Sequence, residues 1–343
     1  MTKKVYHFFN ASTSVYFNAS FSYINQLVNS KRAIYIIDEN VFNYHKSKFI
    51  VSEIILIKPG EAKKSLSEIN RIIKHLIKLQ ADRNTLLIGV GGGVVTDIVG
   101  YVSSIYMRGI ECGFVPTTLL AMVDASVGGK NGINMGVYKN IVGSVKQPSF
   151  LLYDISFLDS LSKKEWQNGF AEIIKHAAIK DASMFKFLQH HSVTYFQKSK
   201  KDLTDLIRRN VRLKIKLVQS DEFEKGDRKL LNFGHTIGHA IENQYGLSHG
   251  QSISVGMKFA ALFSCKINGF SQSNELIALL HKYGLITDFE FKKQHIIKAI
   301  QLDKKRKAVN IDYVLLNKLG KGLVHSISLT ELEIFINSLI DSK

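Results

Sequence analysis

Cysteine and proline are both scarce in this sequence of 343 residues. The two cysteines, Cys112 and Cys265, lie far apart and form no CxxC pattern, which excludes a disulfide framework and a cysteine-based metal site. There are three prolines, and the chain has no Ser/Gly tract, internal repeat or low-complexity run. Such segments are typical of flexible linkers, so we predict that any junction between domains is tight.

Acidic residues are also few, and 46 Lys and Arg against 29 Asp and Glu give a formal charge of +17. An excess of this size suggests a nucleic-acid partner, a membrane surface or an anionic substrate. The lysines are scattered over the polar faces of predicted helices, without zinc-finger spacing, an aromatic RNA-binding signature or a basic heptad region. We therefore predict a mostly solvated basic surface and no nucleic-acid partner.

Long apolar runs are limited to residues 86–107, in which Asp97 is the only charged residue. Three consecutive glycines and Thr96-Asp97 in the middle argue against a lipid-facing helix and favour a buried strand, a glycine turn and a buried helix. The first residues of the chain lack the apolar core of a signal peptide. These features predict a cytoplasmic protein with no membrane partner.

Strand and helix patterns alternate in the first half of the chain. Four short apolar runs have the pattern of buried strands: residues 33–37, 53–58, 86–90 and 111–115. Residues 65–79 have helical periodicity, with Ser65 and Glu68 in capping-box spacing. This alternation predicts a Rossmann-like parallel sheet covered by helices on both faces.

Helical periodicity dominates after about residue 159, where strand patterns nearly vanish. The helical segments are residues 163–180, 200–221, 252–268, 275–283 and 328–340. We therefore predict an α/β domain over residues 1–158, followed by a mostly α-helical domain over residues 159–343.

Three glycines, Gly91-Gly92-Gly93, lie between a predicted strand and a predicted helix. Glycines at this point let a phosphate approach backbone N–H groups at a helix N-terminus, as in dinucleotide sites. The pattern is not the G-x-G-x-x-G fingerprint, and a tight turn that needs positive φ explains these glycines equally well. Asp38, at the end of an earlier strand, lies where an acid often binds ribose and so favours a nucleotide.

A second glycine-rich segment, residues 124–130, begins at Asp124 and ends at Lys130, and Lys139-Asn140 follow shortly after. Small residues, a carboxylate and two lysines predict a loop that folds around an anion, with an exposed basic loop as the alternative. The segment is not a P-loop, because the upstream glycine spacing and the following Ser or Thr are missing.

Histidines cluster within residues 232–249. His235 and His239 are four residues apart and therefore lie on one face of a helix, as metal-binding pairs do. Glu172, on another amphipathic helix, completes a set of one carboxylate and two imidazoles. A lone histidine is more often structural, but this cluster predicts a metal site.

These motifs together resemble those of 3-dehydroquinate synthases, which are sugar-phosphate cyclases, and the resemblance extends over most of the chain. The segments that carry it, in the family's order, are residues 59–65 (PGEAKKS), 91–97 (GGGVVTD), 106–109 (YMRG), 115–121 (VPTTLLA), 123–130 (VDASVGGK), 169–176 (GFAEIIKH), 221–222 (DE), 231–236 (LNFGHT), 239–242 (HAIE), 249–250 (HG) and 303–305 (DKK). Two segments depart from the family's pattern: Thr96 replaces a usual glycine, and residues 135–138 (MGVY) replace a His-Pro-x-Gly segment.

The resemblance implies a role for each matching residue. NAD is expected to be held by Asp38, Asn40, Glu61, Lys64, Gly92, Gly93, Val94, Asp97, Thr117, Thr118, Lys130, Lys139, Phe157, Leu158, Asp159 and Ser160. The substrate pocket is expected to be lined by Asp124, Lys130, Lys139, Asn140, Lys175, Lys214, Arg228, Asn232 and His239. The metal, zinc or cobalt, is expected to be held by Glu172, His235 and His249, so that His239 faces the substrate instead. Arg108 is expected to reach the substrate phosphate of a neighbouring subunit in a homodimer, and Lys304 or Lys305 to complete that phosphate site.

The activity implied is conversion of 3-deoxy-D-arabino-heptulosonate 7-phosphate into 3-dehydroquinate and phosphate, with NAD regenerated in each turnover, as a step of the shikimate pathway towards aromatic amino acids. The alternatives are a cyclase of the 2-deoxy-scyllo-inosose or valiolone type and a metal-dependent polyol dehydrogenase. A dehydrogenase would accumulate NADH. A basic binding module without catalysis would leave the metal cluster and the many expected pocket lysines unexplained.

Overall fold

The computed structural model describes residues 1–51, 53–136, 138–301, 306–307 and 310–340. The chain packs into two compact units, one of residues 1–165 with 200–223 and one of residues 166–199 with 224–343. The sequence predicts a boundary after residue 158. Residues 159–165 and 200–223, which that boundary puts in the second domain, belong to the first unit. The assignment of NAD to the first domain and of the metal to the second stays a prediction.

The described residues of the first unit form nine strands: β1 (Thr2–His7), β2 (Ser12–Phe17), β3 (Ala33–Asp38), β4 (Ile54–Ile57), β5 (Leu86–Gly91), β6 (Cys112–Pro116), β7 (Lys130–Met135), β8 (Tyr138–Val145) and β9 (Phe150–Leu152). Seven of them form one sheet in the order β1-β2-β9-β6-β5-β3-β4, whereas β7 and β8 form a separate antiparallel pair. The neighbours in the large sheet are parallel, apart from β1 and β2 at its edge. The predicted Rossmann-like sheet is therefore confirmed, with an antiparallel edge strand added.

The helices of the described chain, in order, are α1 (Ile24–Val28), α2 (Glu39–Tyr44), α3 (Leu66–Lys78), α4 (Gly93–Ile105), α5 (Lys163–Lys180), α6 (Ala182–His190), α7 (Val193–Lys198), α8 (Lys200–Ser220), α9 (His235–Tyr245), α10 (His249–Asn268), α11 (Ser273–Lys282), α12 (Lys293–Gln301) and α13 (Leu329–Ile340). None of these helices is both long enough and apolar enough to cross a membrane. The apolar stretch of residues 86–107 forms β5 and α4, as predicted.

Helix α3 shows how local sequence sets an element boundary. Ser65 is its N-cap, and the Ser65 hydroxyl accepts a hydrogen bond from the Glu68 backbone N–H at 3.3 Å. The predicted capping box is only half formed, because the Glu68 carboxylate instead accepts from Arg71 at 2.5 Å. Ile69 and Ile72 face inward and are buried. Each such residue contributes about 1.5–3 kcal/mol of burial free energy.

The second unit is mostly helical, as predicted, but it also contains β10 (Arg306–Lys307), β11 (Asn310–Lys318) and β12 (Lys321–Ser328) in one antiparallel sheet. The prediction that strands nearly vanish in the second half is therefore wrong. Residues 313–316 are all buried, so β11 lacks the alternation that marks a half-exposed strand. Gly320, at φ +78°, makes the turn between β11 and β12.

Candidate active site

The carboxyl ends of β3, β5 and β6 meet at one edge of the large sheet, because parallel strands end together. Gly92 at this edge is the N-cap of α4 and has φ −75°, and none of the three consecutive glycines has positive φ. A Cβ on Gly91 would lie 2.5 Å from Val95 Cγ2, and one on Gly92 would lie 3.1 Å from Thr118 Cγ2. Close packing therefore requires glycine, and the alternative of a turn at positive φ is wrong.

Thr117 lies beside these glycines, since its backbone N–H donates to the Gly91 carbonyl at 2.9 Å. Its side chain is buried, and its hydroxyl has no hydrogen-bond partner within the described protein. An unsatisfied buried hydroxyl costs about 1–3 kcal/mol, which a bound ligand can recover. The hydroxyl and the N-terminus of α4 together fit the phosphate groups of a dinucleotide.

Lys64 is the buried centre of a polar network at the same end of the first unit. Its side chain is 4% exposed. Its ammonium lies 2.5 Å from Asp97 Oδ2 and 3.7 Å from Glu61 Oε1, and it also donates to the Asn140 side chain. Burial opposes the charge on Lys64, but Asp97 and Glu61 outweigh burial and raise the pKa of the ammonium. Four predicted site residues are therefore brought together, and Lys64 remains charged.

Several other residues predicted to hold NAD make contacts within the protein. Asp38 is the N-cap of α2, and its Oδ1 accepts from the Asn40 backbone N–H at 2.9 Å. The Phe157 ring lies in the core, edge-on to the Phe21 ring, with 5.8 Å between the ring centroids. The next residue, Leu158, is also buried. Thr118 Oγ1 accepts a hydrogen bond from the Ala121 backbone N–H, and Ser160 Oγ lies 2.8 Å from His45 Nε2. Val94 is half-buried in the first turn of α4, whereas Asp159 is exposed. The predicted contacts of these residues with NAD stay predictions.

Asp124 and Lys214 form an ion pair within the first unit. Asp124 lies in a π-helical turn, Ala121–Ala125, and its Oδ1 is 2.6 Å from Lys214 Nζ. The ammonium also donates to the backbone carbonyl of Asp124 at 2.7 Å. The Lys214 side chain is 8% exposed, so this residue of α8 places a nearly buried positive charge beside the turn.

The predicted anion-binding loop is shorter than expected. Gly128 and Gly129 have φ values of +107° and +71°, and Lys130 is already the first residue of β7 with an exposed side chain. Lys139 and Asn140 follow in β8, where Asn140 has φ +52°. The two lysines are therefore carried by the β7–β8 hairpin rather than by an irregular loop.

Arg108 lies on an exposed turn with an unusual backbone. Met107, Arg108 and Gly109 have φ values of +48°, +66° and +122° in succession. A residue other than glycine in the left-handed region costs of order 1–3 kcal/mol, and such residues concentrate at functional sites. The side chain of Arg108 is exposed.

Glu172, His235 and His249 converge in the second unit. Each offers one ligand atom, and these atoms lie within 4.8 Å of one another. His249 Nε2 is 3.0 Å and His235 Nε2 is 3.6 Å from the same oxygen, Glu172 Oε1. One carboxylate oxygen and two imidazole nitrogens are a typical donor set for a catalytic zinc or cobalt ion, so the site fits the predicted metal.

The surroundings of this group orient its donor atoms. Glu172 is fully buried, and its second oxygen is held by the ammonium of Lys175, one helical turn further along α5. His235 Nδ1 lies 3.1 Å from the Phe233 carbonyl, an arrangement that turns Nε2 towards Glu172. Burial opposes the charge on His249, but its carboxylate neighbours outweigh burial and raise its pKa to about 10.

Glycines let α9 and α10 approach closely enough to form the group. Gly234, at φ +77°, is the N-cap of α9, and a Cβ on it would meet the Met257 backbone nitrogen at 2.8 Å. A Cβ on Gly238 would lie 3.0 Å from the Ile253 Cα atom. His235 and His249 are the first residues of these two helices, so the close approach sets the distance between them.

Asn168 is a residue of the site that the sequence analysis missed. Its side-chain oxygen accepts from the Gly250 backbone N–H at 2.9 Å, and its side chain is buried. Asn168 precedes Glu172 by one turn of α5, and Gly250 follows His249, so this bond ties the two metal-ligand candidates together. An asparagine next to a glycine inside an amphipathic helix is the sequence signal that could have identified it.

The remaining predicted substrate residues also belong to the second unit. The ring centroid of His239 is 4.9 Å from that of His235, so the pair at i and i+4 does share a face, as predicted. Asn232 donates to Glu224 Oε1 at 2.5 Å, and Arg228 is 3% exposed. Lys304 and Lys305 lie outside the described residues.

Comparison with known proteins identifies the family of the chain. Residues 54–168 match the model for "3-dehydroquinate synthase N-terminal", and residues 169–306 match that for "3-dehydroquinate synthase C-terminal". The chain belongs to the 3-dehydroquinate synthase family. A 3-dehydroquinate synthase from Thermoanaerobacter pseudethanolicus is 36% identical over 324 residues, which cover 90% of this chain and 91% of that protein.

Solved structures of other sugar-phosphate cyclases have the same fold as this member of the 3-dehydroquinate synthase family. A 2-deoxy-scyllo-inosose synthase complexed with carbaglucose-6-phosphate, NAD+ and Co2+ superposes with a TM-score of 0.86 at 26% identity, covering 98% of this chain and 99% of that one. A 2-epi-5-epi-valiolone synthase from Streptomyces hygroscopicus, with NAD+ and Zn2+ bound, gives 0.88 at 23% identity, covering 99% and 100%.

Proposed function

We propose that the chain is a 3-dehydroquinate synthase, a carbon–oxygen lyase that converts 3-deoxy-D-arabino-heptulosonate 7-phosphate into 3-dehydroquinate and phosphate. The observation that carries the proposal is the convergence of Glu172, His235 and His249 in a chain whose two halves both match this family. A substrate with a carboxylate and a phosphate also suits the many cationic side chains among the predicted site residues.

NAD is proposed to bind at the carboxyl edge of the large sheet. The support is the first turn of α4, the glycines that pack against it and the unpaired hydroxyl of Thr117. NAD would accept a hydride from the substrate and later return it, so that no net oxidation results. Lys64, which lies just before α3, bonds to Asp97 of α4 and Asn140 of β8 and so ties these two elements together.

The metal is proposed to bind to Glu172, His235 and His249. A divalent ion there would supply Lewis acidity, which lowers the pKa of a substrate hydroxyl before hydride transfer. Lys175 holds one oxygen of Glu172 and leaves the other directed at the two histidines. His239, one turn after His235, is proposed to hydrogen-bond the substrate rather than the ion.

Charge on the departing phosphate is proposed to be stabilised by cationic side chains of the chain. Lys130, Lys139, Lys214 and Arg228 are the candidates, with Lys304 or Lys305 as a further one. Cations placed where negative charge develops usually make the largest contribution to such a step. Lys214 is held in the first unit, because its ammonium contacts both a carboxylate oxygen and the backbone carbonyl of Asp124.

A homodimer is proposed, in which Arg108 acts on the substrate phosphate of the neighbouring subunit. The support is its exposed side chain on a turn whose residues 107–109 all have positive φ. Backbone strain of this kind is concentrated at functional sites, and the exposed side chain is available to a neighbouring subunit.

A second candidate function is cyclisation of another sugar phosphate, favoured by the fold shared with the 2-deoxy-scyllo-inosose synthase. The two functions differ in substrate. Phosphate release, with NAD and zinc present, should be about 100-fold or more faster from the heptulosonate phosphate than from glucose 6-phosphate, which lacks the carboxylate. Mass spectrometry should identify 3-dehydroquinate as the product. Faster release from glucose 6-phosphate would assign the chain to the second function.

A further inference from the structure

Glu242 lies on the face of α9 that carries the metal-ligand candidates. It follows His239 by three residues and His235 by seven, and both spacings bring side chains to one side of a helix. Its side chain is 13% exposed, which is low for a glutamate on a helix surface. The roles proposed above do not include this carboxylate.

His249 lies between two carboxylates. Its Nε2 is 3.0 Å from Glu172 Oε1, and its Nδ1 is 3.6 Å from Glu242 Oε2. A movement of about half an ångström brings the second contact into hydrogen-bond range. An imidazole can direct one nitrogen towards a metal only when the proton stays on the other nitrogen, and a carboxylate there holds that proton.

We propose that Glu242 is a positioning residue that accepts a hydrogen bond from His249 Nδ1–H and so directs His249 Nε2 towards the metal. This inference rests on the proposed metal set of Glu172, His235 and His249. The three ligand candidates then receive matching support, because Lys175 fixes Glu172 and the Phe233 carbonyl fixes His235. Glu242 supplies the corresponding contact for His249.

An alternative is that Glu242 is itself a ligand. His239, Glu242 and His249 also have donor atoms within 4.8 Å of one another. The positioning role is favoured by burial, since Glu172 and His235 are buried whereas all three members of the alternative group are only partly buried. A partly exposed carboxylate gains less from binding an ion than a fully buried one does, because water still solvates part of it.

The test is the zinc affinity of metal-free protein, measured by competition with a chromophoric chelator. Glu242→Ala should weaken zinc binding about 10- to 100-fold, the usual effect of removing a contact to a ligating histidine. Glu242→Gln keeps an oxygen that can accept the bond, so its loss should be smaller. With cobalt, both variants should shift the visible absorption bands, which report ligand geometry.

Glu275→Gln is the matched control, because Glu275 is an exposed carboxylate on α11 of the same unit. The zinc affinity of this variant should stay within about twofold of the wild type. Equal melting temperatures of the metal-free proteins would exclude a folding defect. If the Glu242→Ala variant fails to fold, the Glu242→Gln variant decides the question.

Unchanged zinc affinity in Glu242→Gln and Glu242→Ala would overturn the proposal. Two zinc ions per wild-type chain, with one lost in Glu242→Ala, would also overturn it by making Glu242 a ligand. Full metal retention in His235→Ala would instead refute the proposed metal set itself.

Discussion

Replacing His235 with alanine is expected to remove bound zinc or cobalt and to lower kcat/KM by about 1000-fold. The Lewis acidity of a catalytic ion is worth several kcal/mol, and each 1.36 kcal/mol corresponds to a factor of ten. A site with two of its three protein ligands cannot hold its ion against dialysis. The fold should survive, because His235 is the first residue of α9 and alanine is the best helix former. Elemental analysis after dialysis and circular dichroism check the two halves of this prediction.

His190→Ala is the control for this experiment, since His190 is an exposed histidine at the end of α6 in the same unit. Its metal content should equal that of the wild type, and its activity should lie within about twofold. A full complement of metal in the His235 variant would show that the ion is bound elsewhere. The assignment of Glu172, His235 and His249 would then be wrong.

Mixing the weakly active Arg108→Ala variant with the inactive His235→Ala variant is expected to restore activity if Arg108 acts across a subunit interface. Arg108→Ala alone should lose about 10- to 100-fold in kcat/KM, because a charge-assisted hydrogen bond contributes roughly 1.5–3 kcal/mol. In a mixed dimer with His235→Ala, one site receives an intact metal group from one chain and Arg108 from the other. Random pairing makes half of the dimers mixed, so about a quarter of the wild-type activity should return in a symmetric homodimer.

The control mixture combines His235→Ala with His249→Ala, since neither chain then has a complete metal group and no site can be rebuilt. Native mass spectrometry on differently tagged chains establishes that mixed dimers have formed. Mixed dimers of the Arg108 and His235 variants without restored activity would place Arg108 in the site of its own subunit, or outside any site. A monomeric wild-type protein would contradict the homodimer directly.

Much of the fold could be predicted because the decisive signals are local. The apolar runs ending at Asp38 and Gly91 are buried on both faces, so their composition alone identifies central parallel strands. The β11–β12 hairpin could not be predicted in the same way. Its strands pack on helices, so the burial of their residues depends on tertiary contacts and not on a local sequence pattern. The Ser264 hydroxyl, for example, accepts from the Leu316 backbone N–H at 2.8 Å.

The candidate site was only partly predictable from residue types and spacing. The i, i+4 spacing of His235 and His239 is real, but spacing within one helix cannot show that His249 and Glu172 face His235 from two other helices. The Lys64 network and the Asn168–Gly250 bond likewise join residues from different elements. Such contacts depend on how the elements pack, so the sequence alone identifies the residues but not which of them contact one another.

The most direct test of the central claim counts phosphate molecules released per molecule of NAD. Protein freed of NAD should be inactive on the heptulosonate phosphate, and NAD added below one equivalent should restore turnover. Phosphate should then exceed the added NAD many times, without lasting NADH absorbance, because in every cycle the cofactor gives the accepted hydride back to the reacting molecule. Accumulation of one NADH per product formed, or release limited to the amount of added NAD, would contradict the account and indicate a dehydrogenase.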